Sequence, residues 1–332
     1  MECRHEVIRF DVGDADELAQ GLAHGPALFE QHFDQLSPGR FQGSFVEVSF
    51  GEVQVYVEQS NQSIYQTGQI RADACGLAIA TAVEGRAIFA GSTLAAGELM
   101  TLANGAELDF CTARIMRTIG LIASNAWLTE LDGDRTDLML APARAGIADA
   151  EVSQVARLRE VLESILCGVT SRAMTQFAEV AVATAIDELA DALLGLTRDA
   201  YKRRASGAVW IARRRVVERA RDYIRSHVAD PLTIAMLCQA MHVSRRTLQY
   251  CFDDVLGMTP LAYLKAVRLN GVRRVLKTTS DVPTCIGDVA AQWGFWHLSH
   301  FREDYRLMFD ENPSDTVRQA GRRQTHPVAA VI

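Results

Sequence analysis

Lysine is absent from the first 200 of the 332 residues, where 13 arginines stand against 29 acidic side chains. A field of net charge −16 repels polyanions and favours a neutral or cationic small molecule. Only local convergence of arginines such as Arg114 and Arg117 on a phosphate would reverse that preference. The seven cysteines are odd in number, widely spaced and contain no Cys-x-x-Cys pair. A disulfide framework and a zinc ribbon are thereby disfavoured. No apolar run reaches the roughly 18 residues that a membrane span needs. The opening MECRHEVIRFDVGDADEL carries acids where a signal peptide would carry its apolar stretch. A cytoplasmic protein with no membrane partner is expected. No Gly-x-Ser-x-Gly, P-loop or dinucleotide fingerprint occurs, and residues 1–200 hold only His5, His24 and His32, with no His-x-His pair. No catalytic residue, metal site or cofactor is expected, and the chain is not read as an enzyme.

What is present is asymmetric. Residues 201–332 carry 21 basic and 12 acidic side chains, a net of +9 that the overall −7 conceals. Such a basic half points to a polyanion partner, nucleic acid first. The length suits two domains.

The first half alternates. In GSFVEVSFGEVQVYVE, Val46, Val48 and Phe50, then Val53, Val55 and Val57, recur at period two around Gly51, which predicts a hairpin. Short runs at 76–83, 86–90, 106–110 and 119–124 extend the pattern, so a sandwich or small barrel over about 40–125 is expected. DGDRTD (132–137) has calcium-like acids but no closing acid at Ala143, and reads as a solvated turn. The period then changes. Val155, Leu158, Leu162 and Ile165, and later Ile186, Leu189, Leu193 and Leu196, recur at three and four, giving amphipathic helices over about 150–197. Their stripes must be covered by the barrel or by a second subunit, and a homodimer is expected. The charged LTRDAYKRRASG (196–207) marks the domain boundary.

Beyond it the chain reads as short helices. Asp230 and Pro231 suit a helix start with Leu232, Met236, Leu237 and Met241 on its apolar face, and Ser244 suits a second cap before Leu248 and Phe252. Two helices joined so tightly form a helix-turn-helix, with Arg246, Gln249 and Tyr250 turned away from the buried face. The pattern recurs: Ile286, Val289 and Ala290 face inward, Gly294 suits a left-handed turn, and Phe301 and Tyr305 face the core. His297, Ser299 and Arg302 are left outward, His300 falls toward the packed side, and Phe295 and Trp296 read as turn and core packing. Residues 261–279 form one long linking helix, weakened at Gly271 by about 1 kcal/mol relative to alanine.

Ser244, Leu248, Phe252, Arg268-Leu269, Ile286, Asp288-Val289-Ala290, Gly294-Phe295, Ser299, Phe301 and Asn312-Pro313 together make residues 213–319 resemble the AraC/XylS transcription regulators. The resemblance implies an all-α domain of two helix-turn-helix units joined by a long helix. Its two recognition helices would enter successive major-groove segments of double-stranded DNA. It implies DNA contacts from Ser244, Arg245, Arg246, Gln249 and Tyr250, and from His297, Leu298, Ser299, Arg302 and Arg306. It also implies a ligand-responsive activator that recruits RNA polymerase. Asp253-Asp254 and Glu303 depart from the family's usual basic or neutral residues. The stretch from FDQLSPGRF onward resembles the sensor half of a subset of this family, which implies a cupin-like barrel and a small-molecule effector.

The expectation is thus an α+β chain. Residues 1–200 form the effector-sensing and dimerisation domain, 201–212 a linker, and 213–322 the DNA-binding domain. Arg114 and Arg117 are the only ligand-site candidates. The alternatives are a repressor of the same family, or a protein-interaction module with a small-molecule-binding barrel that does not touch DNA.

Overall fold

The computed structural model describes residues 5–22, 29–132, 144–170, 184, 187–193, 208–278 and 285–325. The chain divides into two compact units, Met1–Phe33 with Gln42–Ser206, and Asp34–Phe41 with Gly207–Val331. The eight residues 34–41 belong with the helical unit, a division that a single cut along the chain does not produce. Residues 133–137, Ile186, Leu196 and the boundary stretch 196–207 lie outside the described residues.

The first unit is β-rich, and every strand pair whose register is described is antiparallel. One sheet orders β1 (His5–Val12), β3 (Gly43–Phe50), β4 (Val53–Ser60), β11 (Ile115–Ser124), β6 (Ala74–Glu84), β9 (Leu99–Ala103) and β12 (Arg144–Ile147). The other orders β2 (Phe29–Gln35), β5 (Ile64–Ile70), β10 (Glu107–Cys111), β7 (Ala87–Phe89) and β8 (Ser92–Leu94). The expected hairpin is β3–β4, in register from Gly43 opposite Ser60 to Phe50 opposite Val53.

The alternation in that hairpin works in an unexpected direction. Val46, Val48, Phe50, Val53, Val55 and Val57 do not face the second sheet. After the short helices α1 (Ala15–Leu22) and α2 (Asn125–Asp132) comes α3 (Val152–Thr170), and these side chains pack with its Leu158, Leu162 and Ile165 on the outer face of the seven-stranded sheet. The intervening Phe45, Glu47, Gln54, Tyr56 and Glu58 line a cavity between the sheets. The apolar stripe of α3 is therefore covered within the chain, by β3, β4 and β11. Leu189 and Leu193 are buried in the same cluster.

The second unit contains, among the described residues, α4 (Ala208–Ser226), α5 (Ile234–Met241), α6 (Arg245–Leu256), α7 (Pro260–Thr278), α8 (Ile286–Gln292), α9 (Leu298–Phe309) and α10 (Pro313–Thr325). Its first half packs Val217, Ala220 and Ile224 of α4 near Leu237, Leu248, Phe252 and Tyr263, all buried, with the Phe252 and Tyr263 rings 5.7 Å apart. Its second half is a ladder of rings, Phe301, Tyr305 and Phe309, closed by a hydrogen bond between the Tyr305 and Thr316 hydroxyls at 2.8 Å. Gly271, which propensity alone marks as a weak point, lies where a Cβ would meet the Trp293 ring at 2.0 Å. Close packing, not backbone freedom, accounts for that glycine.

The segment Asp34–Phe41 is bound to this unit by main chain and side chain together. Asn270 accepts from the Gln35 backbone N–H at 3.2 Å and donates to the Gln35 carbonyl at 2.9 Å. The Gln35 side chain donates to the Met308 carbonyl at 2.9 Å, and the Gly39 N–H donates to the same carbonyl at 3.1 Å. Asp34, 1% exposed, receives Arg274 at 2.8 Å, and Arg225 lies 3.7 Å from its other oxygen. A carboxylate so deep is sustained only by charged donors. Asp34→Ala should cost about 1.5–3 kcal/mol, the range for hydrogen bonds to charged groups. Urea unfolding followed by tryptophan fluorescence measures it, because Trp210, Trp293 and Trp296 are three of the four tryptophans and all belong to the helical unit.

Candidate functional site

The first helix-turn-helix is built from caps. The α5 helix opens at Ile234, three residues later than Asp230–Pro231 suggests, because the Thr233 hydroxyl accepts from the Met236 N–H at 3.2 Å. The Asp230 carbonyl is used elsewhere and accepts from Arg268 Nη2 at 2.6 Å. Leu237 and Met241 are buried, whereas Met236 is exposed and leaves the expected apolar face. The helix closes on His242 in a left-handed conformation (φ 55°), whose N–H bonds back to the last turn. A side chain at positive φ is uncommon, and here it turns the chain sharply into the next cap. Ser244 then caps α6 by accepting from the Thr247 N–H at 3.1 Å, as its position suggests. Leu248, Cys251, Phe252 and Val255 are buried, while Ser244, Arg245, Arg246, Gln249 and Tyr250 are all exposed on the opposite side. Arg246 lies over the Tyr250 ring at 5.3 Å and donates to its hydroxyl at 3.0 Å, so the two side chains stand as one unit.

The second helix-turn-helix repeats this plan with a glycine in the turn. Gly294 has φ 78°, and a Cβ there would lie 2.9 Å from both the Val228 carbonyl and the Arg268 guanidinium. Conformation and space both demand glycine. In α9, Phe301, Tyr305, Met308 and Phe309 are buried, and His297, Leu298, Ser299, Arg302 and Arg306 are exposed. Phe295 packs on Phe301 at 5.1 Å. Two expectations fail here. His300 is exposed rather than packed, and Trp296 is 63% exposed rather than core. With Leu298, 44% exposed, Trp296 puts an apolar surface at the start of α9. Of the acidic departures, Asp254 pairs with Arg213. Asp253 and Glu303 remain exposed.

Two short helix pairs, each with a left-handed turn and a second helix exposing polar and basic side chains near its N-terminus, occupy residues 234–309. Residues 237–319 match the protein family described as a helix-turn-helix domain. Over 103 residues the chain is 34% identical to the probable thc operon regulatory protein of Rhodococcus erythropolis, covering 31% of each chain. Over 102 residues it is 33% identical to the XylDLEGF operon transcriptional activator of Pseudomonas putida, covering 31% of this chain and 32% of that one. A solved structure of a probable AraC family transcriptional regulator from Rhodopseudomonas palustris is 34% identical, with a TM-score of 0.30, covering 32% of this chain and 97% of that one. The helical unit belongs to the AraC/XylS family. The chain spans about a third of the length of these curated relatives. The matched AraC/XylS segment begins in α5 and ends in α10, so neither the barrel nor residues 34–41 fall within it.

Outside the AraC/XylS segment, the cavity between the two sheets has a volume of ≈ 70 Å³ and is lined from both sheets. Arg114 and Arg117 do not line it. Arg114 is exposed, and Arg117 bonds to Thr81 at 2.8 Å and lies 3.8 Å from Glu163 of α3, one position out of step with the inward-facing Thr118. The ionisable groups of the described lining are instead Glu47, Glu58 and Tyr56, of which none is basic. Ser49 Oγ donates to Glu47 at 2.7 Å, and Gln66 Nε2 to Glu58 at 2.6 Å. Burial pushes the Glu58 carboxyl up from 4.5 to about 7, against the opposing effect of the Gln66 bond, and raises Glu47 as well. Patterning did not reveal these acids, because acids at alternate strand positions read as a solvent face.

Two outcomes follow. Gly294→Ala should destabilise the AraC/XylS unit by ~1–3 kcal/mol, from the positive φ and the crowded Cβ, as read by a urea midpoint. For Glu58, the folded state holds a proton between pH 4.5 and about 7 that the unfolded state releases, so its contribution to stability is lost as pH rises through that window. Glu58→Gln should therefore leave stability unchanged near pH 4.5 and raise it by about 1–3 kcal/mol at pH 8, compared by urea unfolding at both values.

Proposed function

We propose that this protein is a sequence-specific transcription regulator that binds double-stranded DNA through α6 and α9 in successive major-groove segments. The observation that carries the reading is the repeated unit itself. Two second helices, each set by a left-handed turn, expose Arg246, Gln249 and Tyr250 in one case and His297, Ser299 and Arg302 in the other. An isolated helix-turn-helix reads one groove segment, and two held by the single helix α7 can read two. The net +9 of residues 201–332 supports attraction to phosphate.

The β-rich unit binds a small-molecule effector in its cavity, and the protein acts in the cytoplasm, as a homodimer. The described residues contain no helix long and apolar enough to cross a membrane. Activation with RNA polymerase as partner is favoured over repression, since a relative is named as an operon activator. A reporter that rises when the protein is deleted would reverse the sign. A gel shift on DNA upstream of the native locus, against random duplex at rising salt, tests the reading. Equal affinity for both duplexes would remove the sequence specificity, and binding to neither favours a protein-interaction module instead.

Arg246 and Gln249 carry the donors that read guanine and adenine, at about 1–3 kcal/mol per bidentate contact. Glu303 brings a negative charge toward phosphate and, as an acceptor, can bond only to donors such as a cytosine or adenine amino group or a cation such as Arg302. Gln249→Ala should relax preference at one base pair, and Glu303→Gln should raise affinity for all sequences with little change in preference. Binding to a library of single-base variants at fixed salt checks both. The reverse pattern would make α9 the reader.

A further inference from the structure

The cavity of the β-rich unit presents carboxylates to its interior with no basic residue in the described lining to balance them. Glu47 is 5% exposed and receives a hydrogen bond only from Ser49 among the described residues. Gln31 Oε1, also of the cavity lining, is buried with no hydrogen-bond partner among the described residues. A buried carbonyl left unpaired costs about 1–3 kcal/mol, so such groups call for an explanation. Register places the acceptors together. Glu47 on β3 is opposite Tyr56 on β4, Glu58 is two positions along the same face from Tyr56, and Thr118 of β11 is opposite Glu58. The remaining walls are apolar and aromatic. The Phe45 and Tyr56 rings stack at 5.9 Å, and the Phe89 and Phe110 rings meet edge to face at 5.5 Å.

We propose that this cavity binds a small organic cation, with its ammonium group paired to the Glu58 carboxylate and its charge shared by Glu47 across the Tyr56 ring. The inference rests on the reading of the β-rich unit as an effector domain and names the class of effector. An anion would be repelled by two buried acids. A neutral guest would leave the carboxylates without the positive partner that buried charges require. An ammonium group supplies N–H donors for Glu58 and for the Gln31 carbonyl, and its positive charge suits the aromatic faces. The cavity limits the guest: ≈ 70 Å³ corresponds to about five water-sized groups, which suits a cation of a few carbons.

The full-length protein is titrated by calorimetry with n-butylammonium and tetramethylammonium, and with 1-butanol and butyrate as neutral and anionic counterparts of the same size. At least one cation should bind and both counterparts should fail. Glu58→Gln should weaken the cation by at least ~30-fold, the lower end for truncating one partner of a buried charge pair. Because Gln66 still has a carbonyl to bond in that variant, folding is retained, and circular dichroism checks it. Affinity should also rise from pH 6 to pH 8 as Glu58 sheds its proton. The groups facing Glu58 are Gln66 from β5, Thr118 from β11, Phe45 and Glu47 from β3, and Tyr56 on its own strand. Tighter binding of butanol or butyrate, binding of neither cation, or unchanged affinity in Glu58→Gln overturns the proposal. The gel shift is run on the same preparation. Retained DNA binding without cation binding removes only this inference, whereas cation binding without DNA binding removes the regulator reading and leaves the cavity assignment standing.

Discussion

The seven-stranded sheet has to satisfy two interiors with one alternation, and the architecture of the β-rich unit depends on that constraint. Successive side chains of a strand point to opposite faces, so a residue withheld from one interior is delivered to the other. In β3 and β4 the valines go to α3, and Phe45, Glu47, Gln54, Tyr56 and Glu58 go to the space between the sheets. A one-residue slip would exchange the sets and place two acids beneath α3. The helix and the cavity therefore fix the same register from opposite sides.

The helical unit solves a different problem, that of aiming two helices without a sheet to hold them. It relies on termini. Ser244 and Thr233 satisfy orphan N–H groups at helix starts, and the left-handed His242 and Gly294 reverse the chain between paired helices. Aromatic packing beneath α9 and the Phe252–Tyr263 pair beneath α6 leave each recognition helix one buried and one free face. Short helices gain most of their stability from such packing rather than from intrinsic propensity.

Much of this was legible in the residues themselves. The β3–β4 hairpin, the cap at Ser244, the turn at Gly294, the long α7 and the exposed faces of α6 and α9 all follow from local chemistry that acts within a few positions. The failures share a physical cause. The side of the sheet that the valines occupy, the covering of the α3 stripe and the clash behind Gly271 are decided by partners tens of residues away. His300 falls outside the buried arc because three- and four-residue spacing at the start of a helix leaves that arc uncertain by one position, and Trp296 lies in the turn before α9, where no periodicity says which way a side chain faces. The strands β1, β2, β5, β8, β9 and β12 lie outside the predicted runs, β1 even though its Ile8, Phe10 and Val12 alternate with exposed Arg9 and Asp11. The acids of the cavity were hidden by their very polarity, which patterning assigns to solvent.

Residues 34–41 give the chain an order of assembly. Gln35 bonds to a main-chain carbonyl 273 positions later, and Asp34 finds Arg274 240 positions later. Contacts at such separation are slow to form, because a long loop must close before they reward it. During synthesis from the N-terminus, the segment emerges long before α7 and α9 exist. In the growing chain Asp34 stays hydrated until α4 and α7 bring Arg225 and Arg274, and Gln35 waits for the Met308 carbonyl of α9, so the helical unit completes these bonds only when residues from distant parts of the chain are both present.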